Sequence, residues 1–224
     1  MPSEPFDPRA LLDDLTARYP DLTPCRADIL AAFELLRASF ATGGKLLVCG
    51  NGGSAADCEH IVGELMKGFT RARPVPEDVR RRLCEQPPGE GASNPDRHYL
   101  ADHLQGALPA ISLVSQSGLI TAFANDVAAD MIFAQQVYGY GREGDALLGI
   151  STSGNSRNVL NALRVARAQG LSTVGLTGRD GGSMKALCDV TMIVPKKETS
   201  EIQERHLPIY HALCIMLEHA FFPD

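Results

Sequence analysis

Four hydroxyls crowd into the six residues 151–156: Ser151, Thr152, Ser153 and Ser156, within the stretch ALLGISTSGNS. They stand between an apolar run that reads as a buried strand and an amphipathic run, 159–168, that reads as a helix. Strand, polar turn and helix in that order gather backbone N–H groups and the positive end of a helix dipole at one point. Such a cradle suits a phosphate held without a metal or a lysine. An ordinary helix cap needs only one Ser or Asn. A second turn of the same kind lies upstream, where the strand 45–50 ends in Asn51-Gly52-Gly53-Ser54 and a helix opens at Ala55. Its glycines permit close backbone approach to a ligand. Gly50-x-Gly52-x-x-Ala55 loosely matches a dinucleotide fingerprint, but no strand ending in an acidic residue follows about 20 residues on. Neither turn continues into Gly-Lys-Ser/Thr. Nicotinamide binding is therefore the weaker reading, and anion binding the stronger.

Groups able to move protons or hold a metal stand apart from these turns. His60 and Glu64 are four residues apart on the helix after the first turn and share one of its faces. His and Glu at that spacing can ligate one metal or pair as acid and base, and can equally be a surface pair without function. Asp57 and Glu59 are assigned to a solvated face. Gln203 and His211, eight apart, can share one half of the last helix, whose apolar stripe is Leu207, Tyr210, Leu213, Leu217 and Phe221. His206 and His219 have no partner by spacing and are left as structural or exposed. Asn125-Asp126 either orients a substrate hydroxyl or is a common turn pair.

The elements that must position these groups alternate. Apolar residues at helical spacing mark helices at 8–19 and 25–41 ahead of the first strand. Strands follow at 45–50, 110–114, 146–150, 173–176 and 190–194, separated by helical runs, with a final helix at 200–222. Alternation of this kind predicts an α/β domain with a five-stranded parallel sheet and right-handed crossovers. Both glycine- and serine-rich turns then lie at carboxyl ends of strands, where open α/β sheets bind ligands. The segment 70–107 breaks the rhythm. It is charged and rich in Pro and Gly, with short helices plausible at 77–84 and 97–104 and an exposed loop at 87–91. Such a length reads as a lid, an interface arm or a partly disordered stretch. Arg80-Arg81-Arg82 reads as a solvated helix face, and Arg71 and Arg73 are candidates to face a phosphate.

At 224 residues the chain is long enough for one well-buried domain. Its net charge of −6 argues against a nucleic-acid backbone as the main partner. No apolar stretch approaches the ~20 residues needed to span a bilayer. The N-terminus, MPSEPFDPR, lacks the apolar core of a secretion signal. Six scattered cysteines with no C-x-x-C pair read as buried, reduced thiols of a cytosolic protein.

Five segments together resemble the sugar isomerase (SIS) domain: GNGGSAADCEHIVGEL, AFANDVAADMIF, GREGDALLGISTSGNSRNVLNAL, TVGLTGRDGG and EIQERHLPIYHAL. Within it the similarity is to the phosphoheptose isomerases, over nearly the whole chain except 70–107. The resemblance implies a three-layer sandwich, with a five-stranded parallel sheet flanked by helices and N-terminal helices at 1–42. It implies that Asn51, Gly52, Gly53, Ser54, Ser151, Thr152, Ser153 and Ser156 hold a sugar phosphate, and that Asn125 and Asp126 contact it. It implies zinc on His60, Glu64, Gln203 and His211, with Glu64 and His211 as the acid/base pair and Glu64 and Gln203 touching substrate. The implied reaction interconverts sedoheptulose 7-phosphate and D-glycero-D-manno-heptose 7-phosphate through an enediol. The implied assembly is a cytoplasmic homotetramer with sites at subunit interfaces. Two rivals are a non-catalytic SIS module that binds a sugar phosphate or a replication initiator, and an SIS enzyme acting on another sugar phosphate.

Overall fold

The computed structural model describes residues 6–85 and 94–223. Two helices, α1 (Pro8–Arg18) and α2 (Arg26–Ala41), precede β1 (Leu46–Gly50). Then come α3 (Gly53–Met66), α4 (Glu77–Glu85), α5 (Asn94–His103), β2 (Ala110–Ser112), α6 (Ser117–Phe123) and α7 (Ile132–Tyr140). The chain closes with β3 (Ala146–Ser151), α8 (Arg157–Ala168), β4 (Ser172–Gly178), β5 (Val190–Val194) and α9 (Thr199–Phe221). The strands form one sheet in the order β2-β1-β3-β4-β5, every neighbouring pair parallel. This is the expected α/β sandwich.

Period-two alternation explains the layers. Leu46, Val48, Leu148, Ile150, Val174 and Leu176 point into a core shared with α1, α2, α3 and α9. Leu47, Cys49 and Leu147 point the other way, onto Leu160, Leu163 and Ala166 of α8 and Phe133 and Val137 of α7. Side chains of this kind each contribute about 1.5–3 kcal/mol on burial. Strands covered on both faces read as continuous apolar runs, which is why β1 and β3 were legible.

The chain passes from β1 to β2 on one side and returns across β1 to β3 on the other. The carboxyl ends of β1 and β3 are therefore a topological switch point, where open sheets leave a crevice.

Several expectations need correction. The helical run expected between β4 and β5 is a short 3₁₀ turn, Gly182–Ala186. Pro208 sits inside α9. Leu207 of the expected stripe is exposed, and Ile202, His206 and Ile209 are buried beside Tyr210 and Leu213 instead. His206 is buried and neutral by default: burial lowers its pKa to about 4, against a contact with the Thr177 carbonyl.

The 70–107 segment leaves and re-enters the fold at one place. Gly106 N–H donates to Arg73 O at 2.7 Å, and Gly68 N–H donates to Gln105 Oε1 at 2.6 Å. Beyond that root, α4 and α5 pack on each other, tied by Arg80 to Asp102. The loop expected at 87–91 lies outside the described residues. Arg73 does not face a phosphate. Its side chain is 0 % exposed and paired with Glu218 at 2.8 Å. Among the described residues no helix is long and apolar enough to cross a membrane.

Candidate active site

The two turns meet as the sheet order requires. Asn51 Nδ2 donates to Asn158 Oδ1 at 2.9 Å, and Asn158 Nδ2 donates back to Asn51 Oδ1 at 2.8 Å. Gly52 and Ser156, the N-cap residues of α3 and α8, make no side-chain cap hydrogen bond, while Asn158 Oδ1 accepts from Val159 N–H in the first turn of α8. A helix N-terminus whose cap residue is not engaged with its own backbone suits an anion. Ser151 and Ser156 share a hydrogen bond at 2.9 Å, Ser153 Oγ accepts from Asn155 N–H, and Ser54 is buried in the first turn. Thr152 is half-buried in the same turn as Ser151. Gly154 shows why the second turn needs glycine there. Its φ is +64°, and a Cβ would lie 2.0 Å from the Gly181 carbonyl oxygen.

α3 and α9 lie side by side and run in the same direction. At one end Gln203 packs against Gly53, where a Cβ would stand 2.6 Å from the Gln203 amide nitrogen. Further along, His60 meets His211 with Nε2 atoms 3.4 Å apart, and His60 Nε2 lies 3.2 Å from Glu64 Oε1. Glu64 Oε2 accepts from Lys67 Nζ at 2.9 Å. Phe69 closes the cluster against the His211 ring at 5.2 Å. Burial lowers the pKa of His211, the nearby His60 adds to the effect, and Glu64 opposes it. His60, Glu64 and His211 are thus brought together. Gln203 is not with them: eight residues place it about 12 Å up the helix axis from His211.

Asn125 and Asp126 are exposed in a π-helical turn, Ala124–Ala128, and hydrogen-bond to each other at 2.7 Å. Such turns recur at functional sites. Nothing described ties this pair to either glycine turn. Asp57 departs from its assignment to a solvated face. It is half-buried, accepts from the Tyr210 hydroxyl at 3.3 Å, and burial raises its pKa against that bond. The exposed Glu59 accepts from Ser115 Oγ. Sequence reasoning missed Asp57, Tyr210, Lys67 and Asn158. Asp57, His60 and Glu64 are spaced to share one helix face, a signal that was available.

The SIS domain model matches residues 15–82 and 100–178, breaking only inside the 70–107 arm. The chain belongs to the SIS domain family. Phosphoheptose isomerases are its relatives there. The phosphoheptose isomerase of Pelobacter propionicus is 42 % identical over 214 residues, covering 96 % of this chain and 94 % of its own. The phosphoheptose isomerase GmhA from Neisseria gonorrhoeae superimposes with a TM-score of 0.67 at 30 % identity, over 92 % of this chain and 97 % of its own. A phosphoheptose isomerase from Francisella tularensis gives 0.68 at 29 % identity, over 93 % and 98 %. This SIS chain is an enzyme of that aldose–ketose isomerase type.

Proposed function

We propose that the enzyme interconverts sedoheptulose 7-phosphate and D-glycero-D-manno-heptose 7-phosphate. The observation that carries this reading is the meeting of Glu64 and His211 on His60, from helices far apart in sequence, on a helix that opens at the first of two joined glycine- and serine-rich turns. In the proposed reaction the phosphate rests on the turns at 51–54 and 151–156. Glu64 lies ten residues along α3 from Ser54, about 15 Å of axis, shortened by side chains leaning towards the N-terminus. That span calls for a long open-chain sugar rather than a triose.

Glu64 takes the proton from C2 of the aldose, giving the enediol, and returns it to C1 of the ketose. His211 carries the accompanying proton between the two oxygens. Its lowered pKa leaves a neutral imidazole near pH 7, able both to accept and to give. Lys67 holds one Glu64 oxygen and leaves Oε1 towards the cluster. Asn125, Asp126 and Gln203 belong to this reading as sugar contacts.

Zinc belongs to it as well. His60, Glu64 and His211 are donors of the right chemistry, and His60 Nε2 stands from the other two at roughly the 3.3 Å edge of a tetrahedron with ~2.0 Å bonds. As the side chains stand, no group of three or more His, Cys, Asp and Glu among the described residues holds a metal. Closure requires one of them to rotate, and Gln203 to leave Gly53. Bound there, zinc would supply Lewis-acid polarisation of the sugar oxygens.

The test is conversion of sedoheptulose 7-phosphate by the purified enzyme, with added zinc and with chelator. Turnover on the seven-carbon phosphate, weaker on six-carbon phosphates, is expected. Preference for a six-carbon phosphate would move the enzyme to another SIS substrate. Binding without turnover of either would leave a sugar-phosphate-binding module.

The reading includes a cytoplasmic homotetramer with sites at subunit interfaces. Val127 and Tyr138, 67 % and 66 % exposed, support apolar contact between copies. Light scattering is expected to give four times the chain mass. A monomeric mass would remove the tetramer.

A further inference from the structure

His60 is the ring on which Glu64 and His211 converge, and its other nitrogen is held from behind. Tyr210 Oη lies 3.0 Å from His60 Nδ1 and donates to Asp57 Oδ1 at 3.3 Å. Tyr210 is 2 % exposed, and its ring meets the His60 ring edge-on at 5.4 Å and 74°. Asp57 stands one turn before His60 on α3, and its second oxygen, Oδ2, is buried with no hydrogen-bond partner. A half-buried carboxylate in that position needs the donor it has, because losing it leaves an unpaired buried charge. The single hydroxyl proton of Tyr210 is thereby committed to Asp57. With that proton on Asp57, His60 Nδ1 is left to donate its N–H to the Tyr210 oxygen at 3.0 Å.

We propose that Tyr210, oriented by Asp57, is a positioning residue that fixes His60 as its Nδ1–H tautomer and turns the Nε2 lone pair towards Glu64 and His211. The proposal rests on the acid/base reading above and deepens it. With the proton on Nε2, His60 would donate to Glu64 Oε1 at 3.2 Å and stabilise the carboxylate before reaction. With the proton on Nδ1, the Nε2 lone pair faces Glu64 Oε1 without a proton between them, so that oxygen receives no hydrogen bond from His60 before reaction, and Nε2 is left as an acceptor or ligand. Metal-binding histidines are commonly held by such a partner on the far nitrogen. Here a tyrosine is interposed between carboxylate and ring.

The experiment is long-range proton–nitrogen NMR on protein labelled with ¹⁵N-histidine, with the His60 signals assigned by their loss in His60→Gln. Wild type is expected to show the Nδ1–H pattern. Tyr210→Phe removes the accepting oxygen and is expected to return His60 to Nε2–H. Asp57→Asn is expected to do the same, because the new amide donates to Tyr210 and frees its hydroxyl to donate to Nδ1. In parallel, kcat of both variants should fall roughly 10–100-fold with KM little changed. An Nε2–H pattern in wild type, or no change in either variant, overturns the proposal. The NMR readout needs no substrate, so it decides the matter even if sedoheptulose 7-phosphate is not converted.

Discussion

Glu64→Gln is expected to lower kcat on sedoheptulose 7-phosphate by roughly 10²–10⁴-fold, the usual contribution of a positioned general base. The amide keeps the size of the side chain and an oxygen for Lys67 Nζ, now 2.9 Å from Glu64 Oε2. It cannot take a proton from carbon. His211→Ala should produce a loss of similar size by removing the group that moves the oxygen-bound protons. Progress curves under saturating substrate give kcat, and thermal melts of the two variants check that the fold persists. Retention of kcat within a few-fold of wild type in Glu64→Gln would place the base elsewhere. A loss in Glu64→Gln alone would leave the oxygen protons to solvent.

The second large effect concerns stability. Arg73 and Glu218, with side chains 0 % exposed, form a buried ion pair at 2.8 Å. Glu218 also accepts from the Phe69 and Thr70 N–H groups and from Thr70 Oγ1. Arg73 donates to the carbonyls of Leu65 at 2.8 Å and Glu64 at 3.1 Å, satisfying the last turn of α3. Removing one partner leaves the other buried without its counter-charge. Glu218→Gln and Arg73→Leu should therefore each cost about 3–5 kcal/mol. Urea unfolding with an unchanged slope is the measurement. The double variant Arg73→Leu/Glu218→Leu should recover part of the loss, because neither charge is then stranded. Fully additive losses would show that the pair is not coupled.

The same carboxylate makes stability depend on acid. Burial raises the pKa of Glu218, but the hydrogen bonds from Thr70, Phe69 and Arg73 outweigh it and bring it from 4.5 to about 2. A depressed carboxylate pKa contributes stability that is complete above the unfolded value and is lost as pH falls towards the folded one. Wild type should thus weaken between about pH 4.5 and pH 2, by roughly 3 kcal/mol from this group. Glu218→Gln should show a flatter profile in that window.

The alternation of buried strands and amphipathic helices made the sheet legible in sequence, because each β-strand of a covered sheet is apolar on both faces. The two turns were legible for a similar reason: glycines and hydroxyls at strand ends serve local geometry. Tyr210 was placed in an apolar stripe, and its ring is indeed buried, but the use of its hydroxyl depends on Asp57 from another helix. Arg73 and Glu218 are 145 residues apart, and nothing local in the charged run 70–107 separates a buried arginine from a solvated one. His60 and Glu64 could be paired by helix spacing alone, whereas the arrival of His211 required α3 and α9 to lie side by side. Local pattern carries what one element does; contacts between elements carry the rest.

The paired amides of Asn51 and Asn158 bear on affinity. Two independent loops would each surrender conformational freedom when a phosphate arrives, and that loss would be deducted from binding. Here the first turn is already clasped to the start of α8 by folding, so in the proposed reaction part of that ordering precedes the phosphate.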